Sequence, residues 1–212
     1  MNRALVLVAS LLLVASALAG DSSVDDFIAK VKKGMSGVKT TRGHFKQTKK
    51  LAIFNDDVVS LGSFSLDRPD KLRWEVRSPF RSVLVITGDR GARWNENMTK
   101  VERFALADKP GIDVAVKQMF AWYSGRFDEI RSFEPTIEQD GHTIALVPKN
   151  EKLREVLSRI TIHFVPSFAT IESIALEEKG GDRTDIAFEA VELDKELEAA
   201  TFEIPDGGPG KR

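Results

Sequence analysis

Ser36-Gly37-Val38-Lys39 stands in the order S-x-x-K, the nucleophile–base spacing of penicillin-binding enzymes and class A β-lactamases. That chemistry also needs S-D-N and K-T-G elements to complete the proton relay, and neither occurs here. No G-x-S-x-G, H-E-x-x-H, Walker or EF-hand pattern is present. The three histidines, His44, His142 and His163, stand too far apart in sequence for a local metal motif. The absence of cysteine removes thiolate nucleophiles, thiolate zinc sites, disulfides and a lipid-modified cysteine together. The paired carboxylates Asp25-Asp26, Asp56-Asp57 and Glu177-Glu178 read as solvated helix-start or loop charges. Asn97-Met98-Thr99 is formally a glycosylation acceptor, and between two strands it reads as a turn. These residues point to binding or carriage rather than catalysis, with no metal and no cofactor.

The chain has 212 residues, enough for one domain with a real apolar core. Thirty-one Lys and Arg against 32 Asp and Glu leave no basic field for nucleic acid. Thirteen Phe against one Tyr is an unusual aromatic set, rich in apolar area and poor in hydroxyls. Residues 1–19 read as a cleaved secretory leader, with Arg3 as its positive start and Ala17-Leu18-Ala19 as its small-x-small cleavage site. A membrane anchor is the other reading of such a run, but about 15 apolar residues fall short of the ~20 that a bilayer requires.

Ser23 opens an amphipathic helix, with Asp25 and Asp26 opposing its dipole. Its stripe of Val24, Phe27, Ile28, Val31 and Met35 either packs in a core or lids a cavity. After Gly43 the period changes from 3.6 to 2. Leu72, Trp74 and Val76 alternate with charged residues; Ile160, Ile162 and Phe164 alternate with Arg159, Thr161 and His163, and Ile186, Phe188 and Ala190 with Asp185, Ala187 and Glu189. About eleven such strands are expected. Ile112, Ala115, Val116, Met119, Phe120 and Tyr123 form a second helical stripe, and residues 152–158 a short third piece. The pattern predicts an α+β fold, a large antiparallel sheet with helices packed on one face. Residues 206–212 read as a flexible tail.

Within this frame Phe45-Lys46-Gln47, Gly62-Ser63-Phe64-Ser65-Leu66, Arg68-Pro69-Asp70-Lys71-Leu72-Arg73-Trp74 and Ser78-Pro79 follow one another. Their order resembles the periplasmic outer-membrane lipoprotein carrier family, LolA. Gly91-Ala92-Arg93-Trp94, Gly181-Asp182-Arg183-Thr184 and Phe202-Glu203-Ile204-Pro205 extend the resemblance over roughly residues 24–205. Two segments depart from it: Lys49–Phe54, which is more apolar than expected, and Met119–Phe127.

The resemblance implies an incomplete antiparallel β-barrel around an apolar cavity, lidded by helices, over residues 20–205. It implies a monomeric periplasmic carrier that shields the acyl chains of lipoproteins. The implied donor is an inner-membrane ABC transporter and the implied acceptor an outer-membrane receptor. A paralogue carrying glycolipid or fatty-acyl cargo, and a fixed interaction module, are the alternatives. Arg68 is the implied lid latch, hydrogen bonded to the backbone of the lid helices. Phe27, Ile28, Val31, Phe45, Phe64, Leu72, Trp74, Trp94, Met119 and Phe120 are the apolar candidates, with Trp74 and Trp94 open between cavity wall and core. Arg73 and Arg77, on the polar face of one strand, read as either a docking surface or solvated charge.

Overall fold

A computed structural model describes residues 19–53, 56–123 and 132–209. Helix α1 (Ala19–Met35) leads into six strands: β1 (Thr40–Lys50), β2 (Val58–Asp67), β3 (Lys71–Ser78), β4 (Ser82–Thr87), β5 (Arg90–Asn95) and β6 (Glu102–Ala105). Helix α2 (Pro110–Tyr123) follows, then β7 (Phe133–Ile137), β8 (Thr143–Pro148) and the single turn α3 (Glu151–Arg154). The last strands are β9 (Leu157–Phe164), β10 (Ile171–Glu178) and β11 (Arg183–Leu193). The first helix begins earlier than Ser23. The expected leader, Ala19 apart, lies outside the described residues.

All eleven strands belong to one antiparallel sheet in the order β6-β5-β4-β3-β2-β1-β11-β10-β9-β8-β7. The sheet is open, with β6 and β7 as its edges. Every pair is a sequence neighbour except β1 with β11, which meet through Phe45 opposite Phe188. Side chains alternate between two faces, as a strand's period of two requires. The inner face presents Phe45, Phe64, Leu72, Ile86, Ile144, Ile162 and Phe188, all buried in one core with Phe27 and Val31 of α1 and Val116 and Phe120 of α2.

Two glycines set how closely neighbouring elements approach. A Cβ on Gly62 would lie 2.2 Å from the Glu75 carbonyl oxygen and 2.3 Å from the Phe45 ring, so only glycine lets that ring lie across its neighbour strand. A Cβ on Gly34 would lie 2.6 Å from the backbone of Phe168, which fixes how closely α1 approaches the β9–β10 loop. Phe168 adopts φ 57°, a left-handed conformation that is costly for a bulky residue. Its buried ring meets Phe27 of α1 edge-on at 5.5 Å, which offsets that cost.

The outer face carries a second, smaller core. Val83, Val85 and Ala92 are covered by Phe202 and Ile204 from the C-terminal segment. Arg73 donates to the Thr201 and Glu203 carbonyls at 3.3 and 3.1 Å, and Arg103 donates to the Ile204 carbonyl at 3.2 Å. Of the tail expected over 206–212, residues 206–209 lie along this face. Asp206 pairs with Arg103 at 2.8 Å, and Gly208 sits under the Trp94 ring with φ 81°.

Candidate functional site

The inner face is aromatic at its centre. Phe45 stacks on Trp74 with centroids 4.0 Å apart, and Phe188 meets both Phe64 (5.0 Å) and Tyr123 (6.1 Å) edge-on. Edge-on and offset contacts suit ring quadrupoles, so this cluster has shape as well as area. Phe27 packs edge-on against Phe164 at 5.7 Å. Ile28 and Met119 are half-buried against the same core, while Phe27, Val31, Phe45, Phe64, Leu72 and Phe120 are buried in it. The helices therefore occupy the space that the sheet curves around.

Arg68 stands in the β2–β3 turn, before Pro69, where the strand ladder is interrupted. Its Nη1 donates to the carbonyl of Met35 at 3.0 Å, and its Nη2 donates to the carbonyl of Tyr123. Met35 and Tyr123 are the last residues of α1 and α2. Carbonyls at a helix C-terminus lack intrahelical partners and carry the negative end of the dipole. One planar guanidinium thus joins both helix ends to one turn of the sheet. Partial burial pulls the Arg68 pKa down, and the charge of Asp194 opposes that shift.

Two buried polar atoms near this junction, the Tyr123 hydroxyl and Trp122 Nε1, lack a hydrogen-bond partner among the described residues. Burial drives the Tyr123 pKa well up, against an opposing pull from Thr170. Both belong to the last turn of α2, so this helix is docked at a polar cost.

An apolar cleft of about 470 Å³ remains at one end of β3–β5, with Trp74, Leu84, Ile112 and Met98 in its wall. Arg93 is its charged element, and Glu102 neutralises it at 2.5 Å. Lys109 and Arg93 together hold the Glu102 carboxyl below the usual range. Trp74 belongs to the inner core and to this cleft. Trp94 lies on the outer face, under Gly208 and beside Arg81 (5.6 Å from guanidinium to ring), and reaches the cleft from that side. Its pairing opposite Val83 sets that face, and the covering that buries it comes from the distant Phe202 segment, which the sequence did not show.

Arg73, read as a possible docking residue, is held by Glu75 and the C-terminal segment, while Arg77 is exposed and donates to Ser63 at 3.0 Å. Sequence reasoning passed over Phe168 and Tyr123 as site residues. Tyr123 had one signal, its place at the end of the second stripe; Phe168 had none. Among the described residues no group of three or more His, Asp or Glu is arranged to hold a metal. His163 lies between Glu172 (3.1 Å) and Asp140 (3.4 Å) on the outer face.

An open antiparallel sheet, an aromatic inner face and two helices tied down at their C-termini define a half-barrel with an apolar interior covered by helices. Residues 36–205 match the family described as outer membrane lipoprotein carrier protein LolA, and the chain belongs to that family. It is 28% identical over 148 residues to an outer-membrane lipoprotein carrier protein of Chromohalobacter salexigens, covering 69% of this chain and 68% of that protein. A protein of the same description from Alkalilimnicola ehrlichii is 30% identical over 152 residues, or 70% of this chain and 66% of the relative. The match thus spans about two thirds of these relatives. Among solved structures, an uncharacterized conserved protein from Thermus thermophilus superposes with TM-score 0.53 at 11% identity, covering 90% of this chain and 99% of that one. The Pseudomonas aeruginosa MucA/MucB complex gives 0.50 at 10% identity, with 87% and 61% covered. These two likenesses establish the fold.

Proposed function

We propose that the protein is a periplasmic carrier that shields the acyl chains of lipoproteins between its sheet and its two helices. The observation that carries this reading is the double bond from Arg68 to the ends of α1 and α2. It fastens both helices over the aromatic face at their C-terminal ends, where a single side chain can release them, while the contact beneath them is largely apolar. The relatives' description as lipoprotein carriers supports the cargo class. In this reading an inner-membrane ABC transporter loads the carrier and an outer-membrane receptor unloads it.

The energetics require movable helices. Burying hydrocarbon yields about 0.8 kcal/mol per methylene. Three long acyl chains, on the order of 40 methylenes, would give roughly 30 kcal/mol, above the practical ceiling near 20 for non-covalent binding. A cargo that must first expel Phe27, Val31, Val116 and Phe120 from the inner face gains only the difference between two apolar fillings. Handover is then feasible. The cleft has the size of a site for one small ligand, so multiple chains need the helix volume too.

Two measurements test the reading. Native mass spectrometry of the exported protein is expected to find one acylated cargo per chain, and failure to load any lipopeptide or lipid would overturn carriage. The identity of the cargo separates lipoprotein from glycolipid or fatty-acyl transport. Arg68→Leu is expected to load cargo and transfer it poorly to an acceptor, with faster amide exchange in α1 and α2. Arg68→Lys restores only part of this, since it keeps charge and loses the fork. Normal transfer by Arg68→Leu would remove the latch from the mechanism.

A further inference from the structure

The exposed apolar residues of this protein are not scattered. Seven large apolar side chains are exposed among the described residues: Ile53, Val58, Val59, Leu61, Phe80, Val147 and Val156. The antiparallel order places the turns β1–β2, β3–β4, β5–β6, β8–β9 and β10–β11 at the same end of the sheet. All seven residues lie in those turns or in the strand ends beside them. The opposite end holds Arg68 and the β9–β10 loop and, among the described residues, presents none. Single exposed apolar residues are ordinary on a protein surface; their confinement to one rim is not.

The rim is continuous. Ala52 N donates to Asp182 at 2.9 Å, joining the β1–β2 and β10–β11 turns, and Lys179 N donates to the Val156 carbonyl at 3.1 Å, joining the next. On the other side Leu61 stands opposite Ser78, which leads into Phe80. The most protruding side chains, Ile53 at 85%, Phe80 at 69% and Val156 at 63% exposure, are therefore successive points along one edge. Residues 49–57, 77–81, 96–101, 149–156 and 178–183 together carry ten Lys and Arg against seven Asp and Glu, and of these Arg183 is taken up by Glu177 and Asp185 just beyond the turn. Lys50, Arg77 and Lys179 are exposed beside the apolar tips. The apolar cleft opens at the same end, with Ser82, Asn95 and Met98 in its wall.

We propose that this rim docks on an anionic phospholipid bilayer. Ile53 and Phe80 enter the acyl boundary, and the neighbouring Lys and Arg reach the phosphates. Apolar tips ringed by flexible cations match the bilayer interface, where stems can lie in the apolar layer and charges in the headgroups. A docked rim sets the cleft mouth against the membrane, so an acyl chain passes between bilayer and carrier with little exposure to water. This extends the carrier reading above to the surface on which loading or release occurs. Leu51, Ala52 and Ile53, from the segment set apart in sequence by its apolar character, gain a role as the tip of that surface.

The test is flotation of the exported protein with vesicles of phosphatidylcholine and phosphatidylglycerol in about equal parts, beside pure phosphatidylcholine. The parent chain is expected to float with the mixed vesicles, less with the neutral ones, and less at high salt. The double variant Ile53→Asp, Phe80→Asp is expected to lose about tenfold or more of its partitioning, with an unchanged thermal midpoint because both side chains are exposed. Lys50→Glu with Lys179→Glu is expected to abolish the preference for anionic vesicles alone. A parent chain that does not float, or a double variant that floats as the parent does, overturns the proposal. The first result together with a protein bound at Phe80 would make the rim a protein-docking surface instead. Cargo is measured in the same samples by mass spectrometry. Loaded chains without flotation refute the rim and leave carriage standing, whereas flotation without cargo refutes carriage and leaves the rim.

Discussion

At the scale of single residues, the helix-to-sheet junction combines one strong attachment with one uncompensated cost. Arg68 supplies charge-assisted bonds of about 1.5–3 kcal/mol each to the carbonyls of Met35, which also accepts from Val38 N at 3.3 Å, and Tyr123. On the same residue that Arg68 holds by its carbonyl, the Tyr123 hydroxyl is fully buried, with the Thr170 side chain as its polar neighbour but no well-formed hydrogen bond among the described residues. A buried hydroxyl that makes no hydrogen bond costs about 1–3 kcal/mol relative to an apolar group of the same shape. Tyr123→Phe is therefore expected to stabilise the closed protein, raising its thermal midpoint by several degrees. The same change is expected to slow cargo loading, because the closed state becomes harder to open. Calorimetry and a loading time course with a fluorescent fatty acid check the two halves. A variant less stable than the parent would show that the hydroxyl is bonded in solution.

At the scale of elements, the aromatic face depends on strands approaching without side chains between them. Phe45 lies over Gly62, opposite it in register, and Phe64 similarly lies beside Gly43. At Gly62 the nearest obstacle to a methyl group is backbone, the Glu75 carbonyl oxygen at 2.2 Å. A flexible side chain can move aside, but a ladder carbonyl cannot without shifting β3. Gly62→Ala is expected to cost about 1–3 kcal/mol, as overpacking generally does, and to lower the midpoint in denaturant. It should also displace the Phe45–Trp74 stack, visible as a change in near-ultraviolet circular dichroism. Gly180, with open space around it, is the control that should tolerate alanine. The sequence carried the G-x-F pattern but not the reason for its glycine, which is a contact across the sheet.

At the scale of the whole molecule, what was legible in sequence followed from local periodicity. The alternation of Leu72, Trp74 and Val76 set both the strand and its inner face, and the stripe of Phe27, Val31 and Met35 set the buried side of α1. The Arg68-Pro69 turn announced a broken ladder, and the structure puts the guanidinium between two helix ends. What was not legible depends on segments far apart in the chain. Trp94 stands opposite Val83 on the outer face, and the covering of Val83 and Val85 by Phe202 and Ile204 makes that face an interior as well. Arg73 has the pattern of a solvated charge, and the C-terminal carbonyls of residues 201 and 203 take it up. The φ of Phe168 has no signature in residue type. The shared end of five separate turns is a property of topology alone, and so the exposed Phe80 and Ile53 became a surface only once the strand order was known.

The single pairing of β1 with β11 also governs how the chain reaches its native state. Every other strand pair closes a short loop, so two meanders, β1–β6 and β7–β11, can assemble from neighbours alone. The seam between them joins Phe45 to Phe188, more than a hundred positions apart, and its closure must meet the entropy of that separation. It is therefore expected to form late, after the transition state has organised one of the meanders. Phe188→Leu should then accelerate unfolding while leaving the refolding rate within about a factor of two, a φ-value below ~0.3. Ile86→Val, whose cross-strand neighbours Leu72 and Gly91 lie in the same meander, should slow refolding if that meander is the nucleus. Stopped-flow chevrons of the two variants distinguish this order from one in which the seam forms first, when Phe188→Leu would instead slow refolding. A chain delivered across a membrane from its N-terminus would in that case have β1 waiting, unpaired on one side, until nearly the last residue of its partner strand had emerged.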